Sequence, residues 1–94
     1  ATTVADGMAV RVPSAEALQM MQGNVSRIIR VTDTQVLAAM GHYFNDTHNI
    51  AEGAGAAPLA ALLAERELNS GKKLGVVLSG GNVTRSLYAK TLLS

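Results

Sequence analysis

The run Leu74–Gly75–Val76–Val77–Leu78, followed at once by Ser79–Gly80–Gly81–Asn82, constrains this chain more than any other stretch. A continuous apolar run of that length is the pattern of a strand covered on both faces. The turn after it leads into a helical pattern from Thr84 to about Leu93. It therefore sets a hydroxyl and bare backbone amides at the carboxyl edge of a parallel sheet, where ligands of open α/β sheets gather. A doubly covered strand needs neighbouring strands, with helices above and below. With 94 residues the chain is at most one domain, at the small end for a self-sufficient core. The expectation is that this segment was built to dock against more chain than is present.

The rest of the sequence reads around that strand. Residues 1–13 form an irregular lead-in, interrupted by Gly7 and Pro13. Ser14 is placed to cap a short helix running to about Gln22, with Glu16 in its first turn and Gly23 just past its end. Ser26–Arg27–Ile28–Ile29–Arg30–Val31 is short and β-branched, the pattern of a second strand. Thr32–Asp33–Thr34–Gln35 is a capping box. The helix it opens carries Val36, Leu37, Met40, Tyr43 and Phe44 at helical spacing and is expected to end near Asn49. Glu52–Gly53–Ala54–Gly55 breaks the pattern, and another helix is expected from about Ala56 to Leu68, with Pro58 in its first turn. Asn69–Lys73 is a polar turn. The expected architecture is α/β, with about two parallel strands and four helices, no linker and no internal repeat.

Composition narrows the function classes. Hydrophobic residues make up 48% of the chain, mostly Ala, Val and Leu, and Tyr43, Phe44 and Tyr88 are its aromatics. Such small side chains bury little area each and suit tight helix–sheet contacts. There is no Cys, which excludes disulfides and thiolate metal sites. A net charge of +1 without a basic stripe argues against a nucleic-acid partner. No apolar run approaches the roughly 20 residues that span a bilayer, and the N-terminus shows no signal-peptide pattern, so a membrane partner is not expected. A soluble, cytoplasmic protein is the expectation.

Five groups of residues are candidates to carry chemistry. Ser79–Asn82 either lines a ligand or simply makes a tight turn from strand to helix. Glu52–Ala57 begins like a dinucleotide fingerprint, but Pro58 stands where the third glycine belongs and a helix precedes it. It is then either a helix–helix elbow, with Glu52 near a helix N-terminus, or a carboxylate turned toward a ligand. Thr3–Val4–Ala5–Asp6–Gly7 contains an Asp-Gly pair that on its own reads as a turn. His42 and His48 are six apart and share no helix face, so they make no zinc pair, and no metal site is expected. Lys72, Lys73 and Lys90 read as solvated lysines rather than amines activated by burial.

Taken together, T-x-ADG (Thr3–Gly7), DTHNIAEGAGAA (Asp46–Ala57) and VVLSGGN (Val76–Asn82) resemble the last third of the threonine dehydratase and serine racemase group of fold-type II pyridoxal-phosphate enzymes. The resemblance runs through essentially the whole chain, including SRIIRVTDTQV. SGGN after an apolar strand is similar to the dehydratase branch in particular. It implies that residues 1–94 are the C-terminal part of a large domain of tryptophan synthase beta-like fold, binding pyridoxal 5′-phosphate. On that resemblance Gly7 lies beside the cofactor ring through its backbone, and Glu52 approaches its 3-hydroxyl side. Ser79 hydrogen-bonds the pyridine nitrogen, with Gly80 supporting the turn. A neutral hydroxyl makes the ring a weaker electron sink than an aspartate would, which favours β-elimination of water over transamination.

The resemblance also marks what is missing. The Ser-x-Lys motif with the Schiff-base lysine, the Asn-His loop for the substrate carboxylate, the glycine-rich phosphate loop and the cation-binding carboxylates lie upstream in the group. The expectation is a fragment of an ammonia-lyase acting on threonine, serine or a related β-hydroxy amino acid, inactive alone. Its partner would be the remainder of the enzyme or another subunit, in a homo-oligomer. The alternatives are a non-catalytic assembly or regulatory module, or part of an amino-acid racemase.

Overall fold

The structure is a computed structural model and describes residues 3–5 and 14–93. Its regular elements among these residues are four helices: α1 (Ala15–Met21), α2 (Asp33–Thr47), α3 (Gly53–Ala64) and α4 (Arg85–Leu93). Three begin where side-chain chemistry prescribes. The Ser14 hydroxyl accepts the Ala17 N–H at 3.3 Å. The capping box closes on both sides, with the Thr32 hydroxyl accepting from Gln35 N–H at 3.1 Å and the Gln35 side chain accepting from Thr32 N–H at 2.8 Å. The Thr84 hydroxyl accepts the Leu87 N–H at 3.3 Å. At its far end α2 stops on His48 in the left-handed region, φ 57°, whose N–H donates back to Phe44 O.

The expected α/β architecture is corrected here: no strand and no sheet form among the described residues. Residues 26–31 and 73–79 make no backbone hydrogen bond among the described residues, to each other or to anything else. A β-branched sequence favours extended backbone, but a strand exists only when its N–H and C=O groups pair with a neighbour. Each segment reaches the core only at its end, through Val31 and Leu78. Ile28 is 79% exposed and Val77 is 73% exposed, so the apolar run that reads as doubly covered stands in solvent.

Helix α3 starts three residues earlier than the pattern predicts and ends at Ala64 rather than Leu68. Pro58 therefore lies inside it, beyond the first turn. Pro58 consequently supplies no N–H to the carbonyl of Ala54, four residues before.

The core sits between α2 and α3, from Val36, Ala39 and Met40 on one side and Ala51, Ala56, Ala57 and Ala60 on the other. Alanine at the contact lets the two helix backbones approach closely, and Met40 is the one fully buried large side chain among the described residues. Helix α4 closes the far side of α2, where Tyr88 meets Phe44 edge to face at 5.9 Å between ring centroids. The buried Tyr88 hydroxyl has no hydrogen-bond partner among the described residues, which costs about 1–3 kcal/mol. Such a core is lean. The radius of gyration is 14.1 Å, against about 12 Å for a compact domain of this length. Helix α1 contributes no buried residue.

Candidate functional site

The site is assembled where the start of α3 meets the turn after the second extended segment. Glu52 N–H donates to Gly80 O at 3.0 Å, and Glu52 O accepts from Ala56 N–H at 3.0 Å as the first turn of α3 closes. The backbone of Glu52 thus joins turn to helix. Its side chain makes no capping bond, so the carboxylate is left for other work. That carboxylate lies over Gly80, with Oε1 3.0 Å from where a Cβ on Gly80 would stand.

Close approach also explains the other glycines here. A Cβ on Gly55 would stand 2.6 Å from Gly80 O and 3.1 Å from Gly80 N. A Cβ on Gly53 would collide with the backbone of Val4 and Ala5. Residues 3–5, 52–55 and 79–81, far apart in sequence, therefore meet in one place. Gly80 and Gly81 do not use a positive φ, which among the described glycines is found at Gly23 and Gly71. Their role is room for a neighbour rather than an unusual dihedral.

Gly55→Ala is accordingly expected to destabilise the protein by about 1–3 kcal/mol, because the added methyl meets backbone that cannot swing aside. Chemical denaturation measures it. A gain in stability, as alanine's helix propensity alone would give, would show that the turn does not dock on α3 as described.

Two hollows flank Glu52. One is a groove of about 510 Å³, walled by Arg27, Ile29 and Val31, floored by Ala54, Ala57, Pro58 and Ala61, and carrying Glu52 and Ser79. The other is a smaller cleft of about 240 Å³ lined by Thr3, Val4, Glu52, Gly53, Asn82, Val83, Thr84 and Leu87. The sequence-based candidates Glu52 and Ser79 are thus brought together in the groove, and Gly80 supports them from behind. Gly7 lies outside the described residues. The neighbouring Ala5 is buried at 6% exposure beside Gly53. A larger hollow of about 630 Å³ between α2 and α4 contains none of these residues. Volume alone would favour it, but it holds neither Ser79 nor Glu52.

Sequence reasoning missed Arg27. Its guanidinium forks onto Glu65 at the end of α3, with Nη1 donating to Oε2 at 2.6 Å and Nη2 to Oε1 at 2.5 Å. The hydrogen bond and charge of Glu65 hold Arg27 above its ordinary pKa, so it is cationic at any working pH. Nothing local announces a pair separated by 38 residues. The groove is thereby walled on one side by a segment that a single ion pair and the Val31 contact tie down.

The groove suits a small planar ligand. Its volume falls within the range of small-molecule sites, about 300–1,000 Å³, and its floor is apolar. The Ser79 hydroxyl has no partner among the described residues and can donate or accept. These groups fit the polar edge of a pyridine ring. All three lysines, Lys72, Lys73 and Lys90, are exposed and none lines the groove. Among the described residues no three His, Cys, Asp or Glu side chains gather into a metal-binding group. No helix there is long and apolar enough to cross a membrane.

The groove thus brings a serine hydroxyl and a carboxylate together beside a glycine turn. The chain belongs to the pyridoxal-phosphate dependent enzyme family, which residues 1–80 match. It is similar to an L-threonine ammonia-lyase of Geobacter sulfurreducens, 37% identical over 81 residues, covering 86% of this chain and 20% of that protein. An L-threonine ammonia-lyase of Thermotoga maritima is 33% identical over the same shares. A catabolic L-threonine dehydratase of Staphylococcus aureus is 34% identical over 85 residues, 87% of this chain and 25% of that protein. The chain spans about a fifth to a quarter of the length of these relatives.

Proposed function

We propose that this chain is the C-terminal part of a threonine/serine dehydratase-like ammonia-lyase and supplies one wall of its cofactor site. The observation that carries this reading is the meeting of Ser79 and Glu52 in one groove, with Gly80 beneath them. Bound there, pyridoxal phosphate would supply the electron sink that loosens bonds at the α-carbon of an amino acid. Ser79 would hold the ring nitrogen by a neutral hydrogen bond, keeping that sink moderate and favouring loss of water to give a 2-oxo acid and ammonia. Glu52 would approach the ring's 3-hydroxyl side, and Gly7 would border the ring through its backbone. The apolar floor of α3 would keep water from one ring face.

On this reading the substrate is threonine, serine or a related β-hydroxy amino acid. The partner is the remainder of the enzyme or another subunit, assembled as a homo-oligomer in the cytoplasm. The exposed apolar residues Ile28, Leu74 and Val77 support a docked partner.

The test is made in the longest natural protein that contains this chain. Ser79→Ala is expected to leave the fold intact and weaken cofactor binding about 2- to 12-fold, the value of one net hydrogen bond. Ser79→Asp is expected to raise the share of transamination over elimination, because an aspartate keeps the ring nitrogen protonated. Cofactor titration and product analysis measure both. Unchanged affinity together with an unchanged product ratio would remove Ser79 from the site.

A further inference from the structure

Gly80 has so far served only to support a turn, yet its surroundings assign it a more specific part. We infer that Gly80 is the positioning residue for the Glu52 carboxylate, its missing side chain leaving the space that the carboxylate occupies. This rests on the reading of the groove as the cofactor site.

Three observations carry it. A Cβ on Gly80 would stand 3.0 Å from Glu52 Oε1, 3.3 Å from its carboxyl carbon and 3.8 Å from Oε2, and beyond its chain neighbours no other atom of the described residues comes as near. The backbone of Gly80 is not in the left-handed region, so alanine can adopt its dihedrals without strain. Glu52 N–H already donates to Gly80 O at 3.0 Å, which fixes the two α-carbons relative to each other. The carboxylate is therefore the movable partner. With glycine at position 80 it rests over the turn, between the groove it shares with Ser79 and the smaller cleft it shares with Thr3 and Asn82. A methyl group there would push it off that place without touching backbone. Gly55 is the contrast, because its missing Cβ makes room for backbone and not for a functional group.

The experiment is a double-mutant cycle in the longest natural protein that contains this chain, with carbon-13 carboxyl-labelled glutamate as a second readout. The Glu52 resonance is assigned by its loss in Glu52→Gln. Gly80→Ala is expected to shift that resonance while the amide spectrum of α2 stays in place. The destabilisation caused by Gly80→Ala is expected to vanish in a Glu52→Ala background, because the clashing group is gone. The inference is overturned if Gly80→Ala leaves the Glu52 resonance unmoved, or if its cost is the same with and without the Glu52 side chain. Neither measurement uses the cofactor. In the same protein, Gly80→Ala is expected to weaken pyridoxal phosphate binding about tenfold, recovering in part on adding Glu52→Asp, whose shorter side chain clears the methyl. A cycle that shows coupling beside a cofactor affinity that Gly80→Ala leaves unchanged would keep the positioning role and discard the cofactor reading of the groove.

Discussion

Met40→Ala is expected to lower stability by about 2–5 kcal/mol, more than any other single truncation in this chain. Met40 is 0% exposed and is the one large side chain buried completely among the described residues, while Ala39, Ala51, Ala56, Ala57 and Ala60 of the same core each contribute a methyl group. Removing it opens a hollow that the surrounding alanine methyl groups cannot fill. Native domains are stable by only about 5–15 kcal/mol, and a lean core places this one toward the lower end. Urea denaturation of the two proteins, followed by helical circular dichroism, gives the difference. Met40→Leu, which conserves volume, is expected to cost less than about 1.5 kcal/mol. A small loss for Met40→Ala, comparable to Met40→Leu, would mean that α2 does not pack on α3 through this side chain.

What could be read from the sequence follows the range of the interaction involved. The Thr32–Gln35 capping box, the Ser14 cap and, to within one residue, the start of α4 were legible because each is settled within three or four residues. The meeting of Glu52 with Ser79 was legible only through family resemblance, since nothing in either motif announces the other. The two strands were misjudged because extended backbone is a local property and a sheet is not. Val76 and Val77 carry strand propensity wherever they lie, but only a paired neighbour makes them a strand. The bounds of α3 were misjudged because glycines at 53 and 55 read as breakers. They are helical and conspicuously small because Val4 and Gly80 press against them. Arg27 stayed hidden for the same reason of range.

Mixed with pyridoxal phosphate and L-threonine or L-serine, the 94-residue chain on its own is expected to release no 2-oxo acid, and borohydride is expected to fix no cofactor at any single lysine. Chemistry of this family requires an amine that reaches the cofactor's carbonyl carbon and handles the α-proton. Such an amine is activated by burial or by a neighbouring cation, and it must border the ring. Lys72 and Lys73 sit in the exposed turn before residue 74, and Lys90 lies on the exposed side of α4. None lines the groove that holds Ser79 and Glu52. Any reaction of these three with free cofactor should be that of ordinary surface amines, scattered and reversible by dilution. Peptide mapping after reduction distinguishes the cases. A stoichiometric adduct confined to Lys90, or turnover that Lys90→Arg abolishes, would show that the chain carries its own catalytic amine, and the assignment of catalysis to another part of the enzyme would fall.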